Sequence, residues 1–165
     1  MNTVIQHFNN IFLPLLPDAR FFAFKRFLWR MAKVEIGENV KICSSVIILG
    51  AGRLKIGSNT WIGPKVMICA NDSITIGSDC DIAPRVYIGD GTHEITHGLD
   101  RIAGIDITNP ISIGNGCWIC ASSTILAGVT ICDQCVVAAG AVVTRSVLYN
   151  KVLVAGVPAL VKKKI

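Results

Sequence analysis

Two sets of residues in this sequence have the types and spacing to do chemistry. The first is a pair of CxxC motifs, Cys117–Cys120 and Cys132–Cys135, separated by eleven residues. In isolation, this pattern is typical of a zinc site with four thiolate ligands. The second set is a histidine pair in an acidic segment: His93 and His97, with Asp90, Glu94, Asp100 and Asp106. What either set can do depends on the elements that hold it.

A six-residue repeat runs through most of the chain and provides those elements. Aliphatic residues recur at every sixth position, with a step of eight after the first two groups of three and one long interruption: Ile36, Ile42, Ile48, Ile56, Ile62, Ile68, Ile76, Ile82 and Ile88, then Ile113, Ile119, Ile125, Ile131, Val137 and Val143. The fourth residue after each aliphatic is usually small or β-branched. A period of six fits neither a helix nor a simple alternating strand. It predicts a short strand followed by a sharp corner, with three such sides in each coil of a solenoid.

The repeat changes the interpretation of the cysteines. All seven fall either one or four residues after a repeat aliphatic, in the two slots that favour small residues. Cys117 and Cys135 are eighteen residues apart, so we expect them to stack about 4.8 Å apart in one inner column. Cys120 and Cys132 should face different corners. We therefore predict no metal site, and cysteine serves here as a small buried residue.

The interruption between Ile88 and Ile113 is the stronger candidate for chemistry. We predict a loop over residues 93–110 that leaves the solenoid, and long insertions in compact scaffolds are usually functional. Thr92 is expected to fill an inward slot, which would direct His93 outwards where the loop leaves. His93 is the first candidate for catalysis and His97 is its competitor. Asp90, Glu94 and His97 are expected to contact the substrate.

Residues 1–33 lack the repeat and are predicted to form a helical cap on a β-helix domain of residues 34–165. Asp18, after Pro17, is suited to begin a helix. The residues predicted to share its apolar face are Phe21, Phe24, Leu28 and Met31. The cap either covers the open end of the solenoid or provides a surface that touches a membrane or a protein partner.

Composition narrows the class of protein. Hydrophobic residues make up 52% of the 165 residues and charged residues 16%, which indicates one folded domain with a real core. No apolar stretch approaches the roughly 18 residues that span a bilayer, and no export signal is recognisable, so we expect a cytoplasmic protein, membrane-peripheral under the second interpretation of the cap. The net charge of +5 comes without an aromatic–basic stripe, so nucleic-acid binding is not expected.

The repeats resemble those of the left-handed parallel β-helix acyltransferases over roughly residues 34–165. The general rule for parallel crossovers would predict right-handed coils, so the handedness rests on the resemblance alone. The closing half is similar to the sugar and capsular polysaccharide O-acetyltransferases. That similarity lies in a Trp118-Ile119-Cys120 corner, an Ala138–Thr144 stretch and a Gly156–Ala159 end.

The resemblance implies transfer of an acetyl group from acetyl-coenzyme A to a hydroxyl of a sugar or polysaccharide precursor. It also implies a homotrimer with active sites between subunits. His93 matches the family's general base, which takes the hydroxyl proton as the oxygen attacks the thioester directly. The Ala121 N–H matches the donor to the thioester oxygen. The positions that match coenzyme A contacts are Trp118, Ala121, Ala139, Thr144, Arg145 and Lys163.

Some positions depart from the family pattern. Cys120 replaces a glycine, and Leu160 stands where a basic residue is common. Gly63 falls where the galactoside and maltose enzymes have an asparagine that contacts the acceptor, which argues against those free sugars. Two alternatives stay open: an N-acetyltransferase of an amino sugar nucleotide, and a non-catalytic assembly subunit. The γ-type carbonic anhydrases share the fold, but their three-histidine zinc site has no counterpart because His7 lies in the cap.

Overall fold

The repeat builds a left-handed parallel β-helix of about six coils. The computed structural model describes residues 1–98 and 100–165. The first three coils contain β1 (Glu35–Ile36), β2 (Lys41–Ile42) and β3 (Ile47–Leu49); β4 (Arg53–Ile56), β5 (Trp61–Ile62) and β6 (Met67–Cys69); and β7 (Ser73–Ile76), β8 (Asp81–Ile82) and β9 (Tyr87–Gly89).

A β-hairpin then leaves the solenoid, formed by β10 (Gly91–Ile95) and β11 (Ala103–Thr108). The coils resume with β12 (Ile111–Ile113), β13 (Trp118–Ile119) and β14 (Thr124–Ile125), followed by β15 (Thr130–Ile131), β16 (Val136–Val137) and β17 (Val142–Val143). The chain closes with β18 (Val152–Ala155) and the antiparallel β19 (Leu160–Lys164).

Stacking of the coils produces three faces. The first face has the order β1-β4-β7-β12-β15, the second β2-β5-β8-β13-β16-β18-β19, and the third β3-β6-β9-β14-β17. Ile76 of β7 pairs with Ile113 of β12 across the whole interruption. The hairpin is therefore inserted at a corner without breaking the stack of coils.

The repeat aliphatics form the core, as the sequence predicts. All fifteen are 9% exposed or less. Burying an aliphatic side chain of this size contributes roughly 1.5–3 kcal/mol, so the inner columns are a main source of stability. Cys117 and Cys135 stack as expected, because each directly precedes one of the paired residues Trp118 and Val136.

The cap differs from its prediction. It contains two helices, α1 (Thr3–Phe12) and α2 (Phe22–Met31), with a 3₁₀ turn over Leu13–Leu15 between them. Asn2 caps α1 by accepting hydrogen bonds from the N–H groups of Val4 and Ile5. The helix α1 was not predicted from the sequence. No helix in residues 1–98 and 100–165 has the length and apolar character needed to cross a membrane.

The predicted start and apolar face of the second helix are both wrong. Asp18 does not cap it: its carboxylate accepts hydrogen bonds from the N–H and hydroxyl of Ser45. Instead, α2 begins after Phe21, which has a φ of 56°. The residues that α2 buries are Lys25 and Trp29. Of the predicted apolar face, Leu28 packs partly buried against the core, whereas Phe21, Phe24 and Met31 are exposed.

Candidate active site

The hairpin is fixed to the solenoid by Asp90. This side chain is fully buried, and its two oxygens accept hydrogen bonds from the N–H groups of Asn71 (2.7 Å) and Asp72 (2.9 Å). Its main chain accepts the N–H of Asn109, where the chain returns to the solenoid. A buried carboxylate with two N–H donors is well satisfied. Asp90 therefore holds both ends of the hairpin at one corner.

This role corrects two predictions. Asp90 is expected from the sequence to contact the substrate, but its burial and its two backbone partners make it a structural anchor. Thr92 is expected to point inward, but it is exposed. The physical reason is the same for both: Asp90 takes the last buried position, and the chain departs at Gly91. A Cβ on Gly91 would lie 2.7 Å from the side-chain amide nitrogen of Asn71, so a larger residue here would require the Asn71 side chain to move.

His93 and Asp106 meet across the hairpin. They are register partners on β10 and β11, and the His93 Nδ1 lies 2.8 Å from the Asp106 Oδ1. With Nδ1–H donating to the carboxylate, Nε2 is the nitrogen left to accept a proton. The side chains are 49% and 86% exposed, so the pair is open to a ligand and to solvent. A base oriented by a carboxylate is the arrangement that activates a hydroxyl nucleophile.

A groove of about 490 Å³ lies beside this pair. Its walls come from three consecutive layers of the same corner and from the hairpin. The lining residues are Leu49, Cys69, Asn71, Tyr87, Gly91, Thr92, His93, Asp106, Ile107 and Thr108. The groove mixes apolar walls with a few polar groups, which is typical of small-molecule sites.

The chemistry inside the groove points to His93 rather than to a cysteine. Cys69 and Tyr87 both line the groove. Burial raises the pKa of the Cys69 thiol above its ordinary value, and burial likewise raises the pKa of Tyr87. Both groups are therefore protonated at neutral pH, and a thiolate nucleophile is not available here.

The remaining hairpin candidates lie outside the groove. Glu94 follows His93 on β10, so its side chain points to the opposite side of the strand. His97 lies beyond the end of β10, towards the tip. Both are exposed, and neither lines the groove. Their predicted contact with substrate stays a prediction, and the geometry favours His93 over His97 as the base.

The six positions that match coenzyme A contacts do not form one patch on a single chain. Ala121 and Ala139 occupy the same corner in successive coils, between the second and third faces, and Trp118 is exposed on the second face beside them. Thr144 and Arg145 follow β17, at the opposite end of the third face. Lys163 is on β19, where it pairs with Leu153. None of the six lines the groove at His93.

The corner at Ala121 and Ala139 has free backbone donors. Neighbouring N–H groups bond to the adjacent coil: Cys120 to Val137, and Ala138 to Val154. Within the described part of the chain, the N–H groups of Ala121 and Ala139 have no such acceptor. They are the donors that the sequence resemblance selects.

Of the ten residues that line the groove, the sequence predicted only His93 as a site residue; Asn71 and Asp106 are among those that it did not identify. Asn71 precedes Gly91 by twenty residues, and twenty residues is also the length of one coil at that corner. The coil length alone could therefore have predicted that Asn71 stacks against the start of the hairpin. Asp106 stood out only as one of several acidic residues in the segment. Its pairing with His93 depends on the hairpin register, which no repeat specifies.

The thiols of the CxxC motifs point to different neighbours. Cys117 donates to the Cys132 carbonyl, and Cys135 donates to the Tyr149 carbonyl. Among residues 1–98 and 100–165, no group of three or more His, Cys, Asp or Glu side chains is placed to hold a metal ion.

Comparison with known proteins identifies the same repeat on both sides of the hairpin. The family model described as the hexapeptide repeat of succinyl-transferase matches residues 53–91 and 110–145. The galactoside O-acetyltransferase of Escherichia coli (strain K12) is 42% identical over 73 residues, which is 44% of this chain and 35% of that protein. The chain spans less than two fifths of the length of the curated relatives that it matches.

Two solved structures extend the similarity to nearly the whole chain. A hexapeptide-repeat acetyltransferase from Vibrio cholerae in complex with acetyl-coenzyme A has a TM-score of 0.77 and 25% identity, covering 98% of this chain and 85% of that one. A galactoside acetyltransferase in complex with coenzyme A has a TM-score of 0.75 and 27% identity, covering 99% and 78%. The chain therefore carries hexapeptide repeats over the matched residues and has the left-handed β-helix fold of these acetyltransferases.

Proposed function

We propose that this chain is an acetyl-coenzyme A-dependent O-acetyltransferase whose acceptor is a hydroxyl of a sugar or polysaccharide precursor. The observation that carries the proposal is the His93–Asp106 pair beside the groove, on the fold of acetyltransferases solved with coenzyme A. His93 accepts the hydroxyl proton at Nε2 as the acceptor oxygen attacks the thioester carbon. The carbon–sulfur bond then breaks, and the proton passes to the departing thiolate.

The thioester oxygen gains negative charge in the tetrahedral intermediate and needs a hydrogen-bond donor. The free N–H of Ala121 supports that assignment, and the free N–H of Ala139 supports a contact with the pantetheine arm. Arg145 and Lys163 are exposed cations suited to the phosphates of the donor.

We propose a homotrimer with each active site between two subunits. The support is the separation of the two half-sites, since His93 leaves from one end of the third face and Ala121 lies at the other end. One chain alone does not bring the base and the oxyanion donor together. A neighbouring copy would supply the missing half.

The first test is acetyl transfer from acetyl-coenzyme A to a panel of sugar nucleotides and acetylatable polysaccharide fragments, with release of coenzyme A measured by chromatography. We expect His93→Ala to lose about 100-fold or more in kcat. The matched control is His97→Ala, on the same hairpin but outside the groove, which should keep near wild-type kcat. If His97→Ala has no activity while His93→Ala remains active, the assignment of His93 as the base is wrong.

A second test addresses the shared site. His93→Ala lacks the base, and Ala139→Phe obstructs the donor side; each is expected to be inactive alone. Refolding the two together gives mixed oligomers in which roughly a quarter of the sites combine two intact halves. Recovery of about that fraction supports sites between subunits. No recovery, with mixed oligomers verified by mass, places both halves on one chain and contradicts the proposal.

A further inference from the structure

The inner side of the cap mixes apolar and polar groups. Leu13 and Trp29 are buried there, together with the polar side chains of Gln6, Asn9 and Lys25. The opposite faces carry large apolar side chains, all exposed: Val4, Phe8, Ile11, Leu15, Phe21, Phe24, Phe27 and Met31. We call these eight side chains the outer face of the cap.

The inward polar residues are explained by the open end of the solenoid. The first coil has no preceding coil, so its edge carbonyls lack strand partners. Asn10 donates to Ile48 (2.7 Å), Gln6 to Gly50 (3.1 Å) and Arg26 to Val40 (2.9 Å). Polar side chains of both helices are therefore used inside the protein, whereas eight large apolar side chains are left on the outside.

The outer face is one surface rather than scattered residues. In α1 and the following turn, Val4, Phe8, Ile11 and Leu15 follow helical spacing. In α2, Phe24, Phe27 and Met31 do the same. Because α1 packs on β3 and α2 on β1 and β2, both apolar sides point away from the first coil.

Composition and charge indicate what the outer face meets. All six phenylalanines of the chain lie within residues 8–27, and four of them are 44–58% exposed. Residues 1–34 contain five basic side chains and one acidic one. Of the basic ones, Lys25 is buried, and Arg26 and Arg30 donate to carbonyls of the first coil. The one acid, Asp18, is bound to Ser45. Arg20 and Lys33 are exposed and have no ion-pair partner in the described part of the chain.

We infer that the outer face docks the protein onto an anionic lipid surface. Apolar side chains enter the boundary between headgroups and acyl chains, and cations at the rim pair with anionic headgroups. A protein partner or a second copy would fit an apolar face equally well. The two exposed cations, Arg20 beside Phe21 and Lys33 two residues after Met31, favour the anionic bilayer. The inference stands independently of the proposed catalysis.

The test is flotation of the purified full chain with vesicles of phosphatidylcholine and phosphatidylglycerol (1:1), and with phosphatidylcholine alone. We expect clear binding to the anionic vesicles, weaker binding to the neutral ones, and a reduction in 0.5 M KCl. Phe8→Ser combined with Phe24→Ser and Phe27→Ser should lower the partition coefficient about 100-fold, since each loses a half-exposed aromatic ring. Arg20→Gln with Lys33→Gln should lower it roughly 20-fold.

The matched control replaces three exposed isoleucines of the hairpin, Ile95→Ser, Ile102→Ser and Ile105→Ser, and should bind vesicles within about twofold of wild type. Circular dichroism and thermal unfolding verify that each variant folds. Absence of binding by the wild-type chain overturns the inference, as does an equal loss in the control. If the phenylalanine variant changes only the molecular mass in solution, the outer face is a protein interface and the inference is wrong.

Discussion

Replacing Asp106 tests whether a carboxylate orients the catalytic base. In the proposed reaction His93 becomes positively charged in the transition state, 2.8 Å from the Asp106 oxygen. At that distance, with the dielectric constant of water, a charge pair is worth about 1.5 kcal/mol. Asp106 is 86% exposed, and solvent competition reduces this value to about 1 kcal/mol. That energy corresponds to roughly fivefold in kcat.

Two substitutions separate charge from orientation. Asp106→Asn retains an acceptor for His93 Nδ1–H and loses the charge, so we expect about a fivefold fall in kcat. Asp106→Ala also loses the hydrogen bond that fixes the ring, and we expect a fall of about tenfold or somewhat more. The kcat of both variants should stay well above that of His93→Ala. The KM for acetyl-coenzyme A should not change, because Asp106 does not contact the donor in this scheme.

The assay is steady-state acetyl transfer with both substrates varied, and Asp100→Ala is the control for removing an exposed acid from the same segment. A wild-type kcat in Asp106→Ala would refute the orienting role. A raised KM for the acceptor with unchanged kcat would also refute it, because Asp106 would then be a contact for the acceptor.

Three further predictions follow from other buried or lining groups. Asp90→Ala should lower the free energy of unfolding by about 2 kcal/mol in urea titrations, since the N–H groups of Asn71 and Asp72 lose their acceptor; unchanged stability would contradict the anchor. Burial raises the pKa of the Cys43 thiol from 9.0 to about 11, so its stabilising contribution is complete below pH 9 and is lost as pH rises towards 11. Between pH 8 and pH 10.5 the Tm of the wild type should therefore fall further than that of Cys43→Ala, and parallel curves would disprove this. Asn71→Ser, at the groove floor, should raise the acceptor KM about tenfold with kcat within twofold, and a change in kcat alone would count against it.

The repeat made the core predictable from the sequence. Each inner position is determined by its spacing from the neighbouring repeat residues, and every coil follows the same spacing. A wrong assignment at one position therefore does not change the assignment of the others. Ile76 and Ile113 pair correctly even though thirty-six residues separate them. The same arithmetic placed Cys117 and Cys135 in one column.

The hairpin could be located but not described. The repeat stops there, and with it the rule that assigns each residue to a side. Thr92 was misplaced because Asp90, a polar residue, occupies the last buried slot. A buried carboxylate is favourable only with its two N–H partners, which come from the preceding coil. The sequence around Asp90 does not show that these partners exist, so its burial could not be predicted from that segment.

The error in the cap has a general physical origin. Amphipathic helices are usually assigned by assuming that the apolar side faces the core. At the open end of a parallel solenoid, the nearest surface is a row of strand edges, whose carbonyls require donors. Asn10, Gln6, Arg26 and Arg30 supply them, so polar side chains share the inner side of the cap with Leu13 and Trp29. Four phenylalanines that such a pattern would assign to the core are therefore exposed, and they form part of the surface that we propose meets lipid.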